Sequence, residues 1–118
     1  MSRASFVKAR FDEANLSRAG RMQAFRAVFT SAKLDGTSFK GANLERAVFE
    51  FASLRDADLA GADLSGCSLA GADLTGANVT GANFNDADVS SAKLLSLQGR
   101  ESAIDFQKAR NLERAIRD

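Results

Sequence analysis

From Ala27 to Ser96 the chain divides into fourteen consecutive pentads, AVFTS through AKLLS, without a gap. The third residue of every pentad is Leu, Phe or Val, and the first is Ala except at Thr37 and Cys67. A period of five suits neither common element. On a helix of 3.6 residues per turn, residues five apart do not gather on one face. On a straight strand an odd period sends successive large residues to opposite faces. A large and a tiny apolar residue nonetheless recur at a constant offset of two. The economical solution is one short extended segment per pentad followed by a bend, with both residues pointing inward. If four bends close a square, a coil takes twenty residues, and residue i then stacks on i + 20 at the strand spacing of ~4.8 Å.

That geometry sorts the third-position residues into four inward columns. They are Phe29, Phe49, Leu69 and Val89; Leu34, Leu54, Leu74 and Leu94; Phe39, Leu59 and Val79; and Leu44, Leu64 and Phe84. Seven of the nine glycines occupy the last position of a pentad, where a bend needs permissive backbone. Cys67, the single cysteine, takes a small inward position between Ala47 and Ala87 and excludes an intrachain disulfide. It reads as a buried small residue rather than a reactive thiol.

Pentads such as ADLAG-ADLSG and ANVTG-ANFND closely resemble the pentapeptide-repeat family. The resemblance covers 70 of the 118 residues continuously. It implies an all-β solenoid, a right-handed quadrilateral β-helix, and an interaction module rather than an enzyme. Some relatives protect type II topoisomerases by resembling the charge and width of duplex DNA, which is the alternative function.

Before the array, ASFVK, ARFDE and ANLSR also read in fives, with Phe6, Phe11 and Leu16 at their centres. AGRMQ would place Arg21 inside, where a charge cannot be buried unpaired. A register break is therefore expected at about residues 19–26, as a loop that tucks Met22 and Phe25 against an outer wall or as a short helix. The repeat domain is expected to span 1–98. After it, residues 99–118 read as an α-helical cap. Ser102 and Asp105 make a capping-box-like start, and Phe106, Ala109, Leu112 and Ile116 fall on roughly one side. Such a helix would cover the exposed core and strand edges of the last coil. Phe106, Leu112 and Ile116 are its candidate contact residues, either as a plain lid or as a lid that also forms a homodimer.

No His, Trp, Tyr or Pro is present, so the commonest general base and metal ligand is missing. We expect no catalytic residue, cofactor or bound metal. No run of eighteen apolar residues predicts a membrane span, the start lacks the apolar stretch of a signal peptide, and a cytoplasmic location is expected. Residues 1–26 carry six Lys/Arg against two Asp/Glu, whereas residues 27–96 carry five against nine. The basic residues lack interleaved Tyr or Trp, which argues against direct nucleic-acid binding. The candidate acidic wall is Glu45, Asp63 and Asp86, interrupted by Arg46. Most Asp and Asn at the second position read as turn-compatible solvated residues. The outlying exterior feature is apolar. Val28 and Val48 hold the polar second position one coil apart, and Phe51 holds a last position where its column otherwise has Ser31, Gly71 and Ser91. These three form a candidate patch, to be covered by Met22 and Phe25 or to meet a partner protein or a second copy.

Overall fold

The computed structural model describes residues 28–118. Ala27, the earlier pentads and the expected register break, including Met22 and Phe25, lie outside the described residues.

Each pentad contributes one bridge residue, its second, which pairs in parallel with the residue twenty positions on. The series begins Val28↔Val48, Lys33↔Ser53, Ser38↔Asp58 and Asn43↔Asp63 and continues to Asn78↔Gln98. The backbone bonds explain why five residues suffice. Leu34 N–H donates to the Ser53 carbonyl at 2.7 Å and Gly36 N–H to that of Arg55 at 2.9 Å, both in the next coil. Ser53 N–H donates back to the Ala32 carbonyl at 3.0 Å. The amide that opens the next pentad, Thr37 N–H, closes a tight turn onto the Leu34 carbonyl at 3.0 Å. Every last position from Ser31 to Ser96 has positive φ. This is the third position of a type II turn, which is why glycine recurs there.

The inward columns are fully buried. All fourteen third-position residues from Phe29 to Leu94 have 0% exposure, and the first-position alanines, Thr37 and Cys67 fill the space between them. Phe29 stacks on Phe49 at 5.1 Å between ring centroids, and Phe39 meets both rings edge-on at 5.9 and 5.8 Å. Full burial of such a side chain stabilises the fold by roughly 1.5–3 kcal/mol. The alanines must stay small, because added methylenes would force the walls apart.

The expected C-terminal α-helix does not form. Asn83 pairs with Ile104, Asp88 with Arg110, and Lys93–Leu94 with Ile116–Arg117, so residues 97–117 continue the ladder. Their bridge residues recur every six positions. Each side turns through a left-handed residue, Gly99, Asp105 or Asn111, and a single 3-10 turn, Arg100–Ser102, Phe106–Lys108 or Leu112–Arg114. The physical reason is the period. Ala103, Ala109 and Ala115 recur at six, as do Phe106 and Leu112. Residues six apart on an α-helix lie about 240° round the axis, so no face would hold them. As six-residue sides they point inward together. Phe106 meets the Phe84 ring edge-on at 5.1 Å, and Leu112 is buried in the same core. Ile116 takes the outward bridge position instead and is 48% exposed.

Candidate interaction surfaces

The ladder leaves one amide per pentad to be satisfied, that of the fourth residue. At every described pentad with Asp or Asn second, that side chain supplies the acceptor. Asp63 Oδ1 accepts from the Ser65 amide at 2.9 Å and its hydroxyl at 2.6 Å, and Asp73 does the same for Thr75 at 3.0 and 2.6 Å. Asn43, Asp58, Asn78, Asn83 and Asp88 bind the amide two residues on in the same way. The second-position carboxylates are therefore part of the wall's own bonding. Burial raises the Asp73 carboxyl, but the Thr75 hydroxyl and amide, with Arg55 and Lys93 nearby, outweigh it and hold the group below its usual value. Asp88 is likewise raised by burial and lowered further by Asn111, the Ser90 amide and hydroxyl, and Arg110.

The three residues of the acidic wall meet different surroundings. Glu45 and Asp86 stand on the lips of a shallow cleft of about 160 Å³, with Arg46, Ser65, Gly66 and Asn85. Asp86 is paired with Arg110, whose Nε lies 3.1 Å from its carboxylate and 3.1 Å from its carbonyl oxygen. Asp63 is turned along the wall to Ser65. The sequence shows Arg46 interrupting this wall, and the six-residue sides add Arg110 as a second interruption.

The apolar patch is uneven. Val28 and Val48 bridge each other on one wall, and Val48 is buried at 8% exposure. Phe51, at the corner that ends the same pentad, is 68% exposed. Its ring lies over Gly71, where an added Cβ would come within 2.6 Å of two ring carbons. Arg46 lies over Gly66 in the same manner, its Cγ 3.0 Å from where a Cβ would sit. The sequence marks Arg46 only as a break in the acidic wall; a long side chain at a position dominated by glycine was the available signal of its packing over Gly66.

At the C-terminal coil a wider open cleft of about 560 Å³ is lined by Arg100, Glu101, Ala103, Asp105, Phe106, Gln107 and Lys108. Lys108 is paired with Asp105 and Arg100 with Asp118, each at 3.8 Å. Cys67 is enclosed, its Sγ donating to the Leu44 carbonyl at 2.8 Å, and burial pushes its thiol far above the ordinary range. A nucleophilic thiolate there is strongly disfavoured. Among the described residues no group of three His, Cys, Asp or Glu is placed to hold a metal, and no helix is long and apolar enough to cross a membrane.

A twenty-residue coil with a small and a large inward residue on each five-residue side defines a class of β-solenoid. The model of pentapeptide repeats matches residues 25–59 and 52–90, in 8 copies, and the chain belongs to the pentapeptide-repeat family. No curated protein matches. Solved structures similar to the chain include a pentapeptide repeat protein, Rfr23, from the cyanobacterium Cyanothece 51142, at 23% identity over 97% of this chain and 91% of that one, with a TM-score of 0.47. Another is a pentapeptide repeat protein of the Arabidopsis thaliana thylakoid lumen, at 27% identity over 83% and 70%, with a TM-score of 0.42. A third is QnrB1, a plasmid-mediated fluoroquinolone resistance protein, at 17% identity over 100% and 82%, with a TM-score of 0.30. The parallel ladder of the described residues is the β-helix solenoid that the repeats imply.

Proposed function

We propose that this chain is a non-enzymatic protein-interaction or scaffold module, presenting flat walls to another protein or to a second copy of itself. The observation that carries the reading is the bonding of the walls. Second-position Asp and Asn side chains are engaged with the backbone of their own pentads, which leaves no converging acid, base and nucleophile among the described residues, while Phe51 projects from an otherwise small-residue corner. An exposed aromatic beside a valine-bearing wall fits a contact surface better than a reaction site. The test is affinity purification of the tagged chain, with heat-denatured chain as an unfolded control, followed by rebinding of the purified partner. Saturable stoichiometric binding supports the reading; its absence with every purified candidate contradicts it.

The alternative, a DNA mimic that protects a type II topoisomerase, draws on the run from Asp56 to Ala92, which holds six Asp and no basic residue. It is weakened by the engagement of Asp63, Asp73 and Asp88 and by the pairing of Asp86 with Arg110. A supercoiling assay on a fluoroquinolone-inhibited type II topoisomerase separates the two, since only the mimic restores activity.

A further inference from the structure

We propose that Arg46 and Phe51 together form the docking site for a protein partner that offers a carboxylate beside an apolar pocket, an inference that rests on the interaction-module reading above. Among the described residues with positive φ, these are the two that place a long or bulky side chain in the left-handed region, each at φ 61°. The other corners use Gly, Ser, Asp or Asn. Glycine would occupy either position without strain, so the turn itself gives no reason for Arg or Phe. Backbone strain retained at exposed positions points to function.

The two residues are consecutive corners of one coil. They bound the wall segment Ala47–Glu50, whose bridge residue Val48 is itself buried. Both are exposed. Beneath them the next coil has Gly66 and Gly71, whose missing Cβ atoms leave room for the Arg46 stem and the Phe51 ring to lie along the axis. Arg and aromatic side chains are the types that dominate interface energetics.

Charge selects the partner. No ion pair holds Arg46 among the described residues. Of the carboxylates in its cleft, Glu45 makes no ion pair with it among the described residues, and Asp86 is held by Arg110. A free guanidinium is suited to bidentate contact with a carboxylate. Phosphate would satisfy it equally, but the basic residues lack the interleaved Tyr or Trp on which bases stack, which argues against a nucleic-acid partner.

The experiment replaces Phe51 by p-benzoylphenylalanine in the full chain and illuminates cells of the source organism. The same photoprobe at Ala60 and Thr75 samples the other walls. The protein captured at position 51 is then purified and titrated by calorimetry against wild type, Arg46→Gly and Phe51→Gly. Each glycine variant is expected to bind at least tenfold more weakly, with a melting temperature equal to or above wild type, and Arg46→Gly is expected to lose most of the salt dependence. Capture at 60 or 75 but not at 51, or binding within twofold of wild type by both variants, overturns this surface while leaving the module reading intact. Cross-linking to nucleic acid overturns the partner class, and a lowered melting temperature of the glycine variants overturns the strain argument. Capture of no protein at any of the three positions removes both the surface and the module reading.

Discussion

Residues 28–96 and residues 97–117 extend the same parallel ladder but turn its corners differently. In the first region the large inward residue follows the bridge residue directly, and the left-handed residue comes last. In the second the left-handed residue follows the bridge, and a 3-10 turn, which carries the large residue at Phe106 and Leu112, absorbs one extra position. The pairing distance accordingly grows from twenty, at Asn78↔Gln98, through Asn83↔Ile104 and Asp88↔Arg110 to Lys93↔Ile116. Ladder and inward alanine are shared, and the corner is the variable part. Burial also differs. Leu64 has no exposure, whereas Phe106 and Leu112 retain 6% and 8%. A coil flanked on both sides is enclosed more fully than one flanked on one side among the described residues.

The largest effect should come from the enclosed core. Leu64→Ala should cost roughly 2–5 kcal/mol, while Leu112→Ala, which leaves a less enclosed cavity, should cost less, about 1–3 kcal/mol. Denaturant midpoints of the two variants check this. Equal losses would remove the distinction between the regions.

The corners come next. Gly71 and Gly81 both have positive φ, but a Cβ at Gly71 would strike the Phe51 ring, whereas at Gly81 it would stand 3.8 Å or more from Gly61. Gly81→Ala should therefore cost only backbone strain, about 1 kcal/mol, and Gly71→Ala roughly 1–3 kcal/mol. The double variant Phe51→Gly/Gly71→Ala should recover to the Gly81→Ala level in a thermal melt.

Loss of a wall acceptor is smaller. Asp63→Ala leaves the Ser65 amide without its partner and should cost about 1 kcal/mol. Asp63→Asn keeps the acceptor, as Asn43, Asn78 and Asn83 do, and should be nearly silent.

The smallest effect is acid dependence. Asp73 and Asp88 are held below the ordinary carboxylate value in the folded chain. The folded chain therefore gives up these protons more readily than the unfolded one. Their contribution is complete above about pH 5 and is lost as pH falls through the folded values. Melting temperature should drop on that acid limb, and Asp73→Asn combined with Asp88→Asn should flatten it.

The columns from Phe29 to Leu94 were legible because the array shows one period fourteen times, and the alternation of Ala with Leu, Phe or Val is dictated by space. The C-terminal coil was not. Its six-residue period appears only three times, and Phe106, Ala109 and Leu112 lie at spacings of three, which also suit a helix. Ile116 then seemed to complete a stripe, although it occupies an outward bridge. The second-position Asp residues were legible as turn-compatible, but their partner amides emerge only when the ladder is traced bond by bond. Arg46 was visible as a break in an acidic wall, and its strained backbone was not.

The continuous ladder is tested most directly by residue-resolved amide hydrogen exchange over 97–117. Gln98, Ile104, Arg110 and Ile116 donate to the carbonyls of Ala77, Ala82, Ala87 and Ala92 at 2.7–2.9 Å. Slow exchange should recur at those four amides, six apart, with faster exchange at the turn residues between them. Contiguous protection from Phe106 to Ile116, the signature of an α-helix, would contradict it.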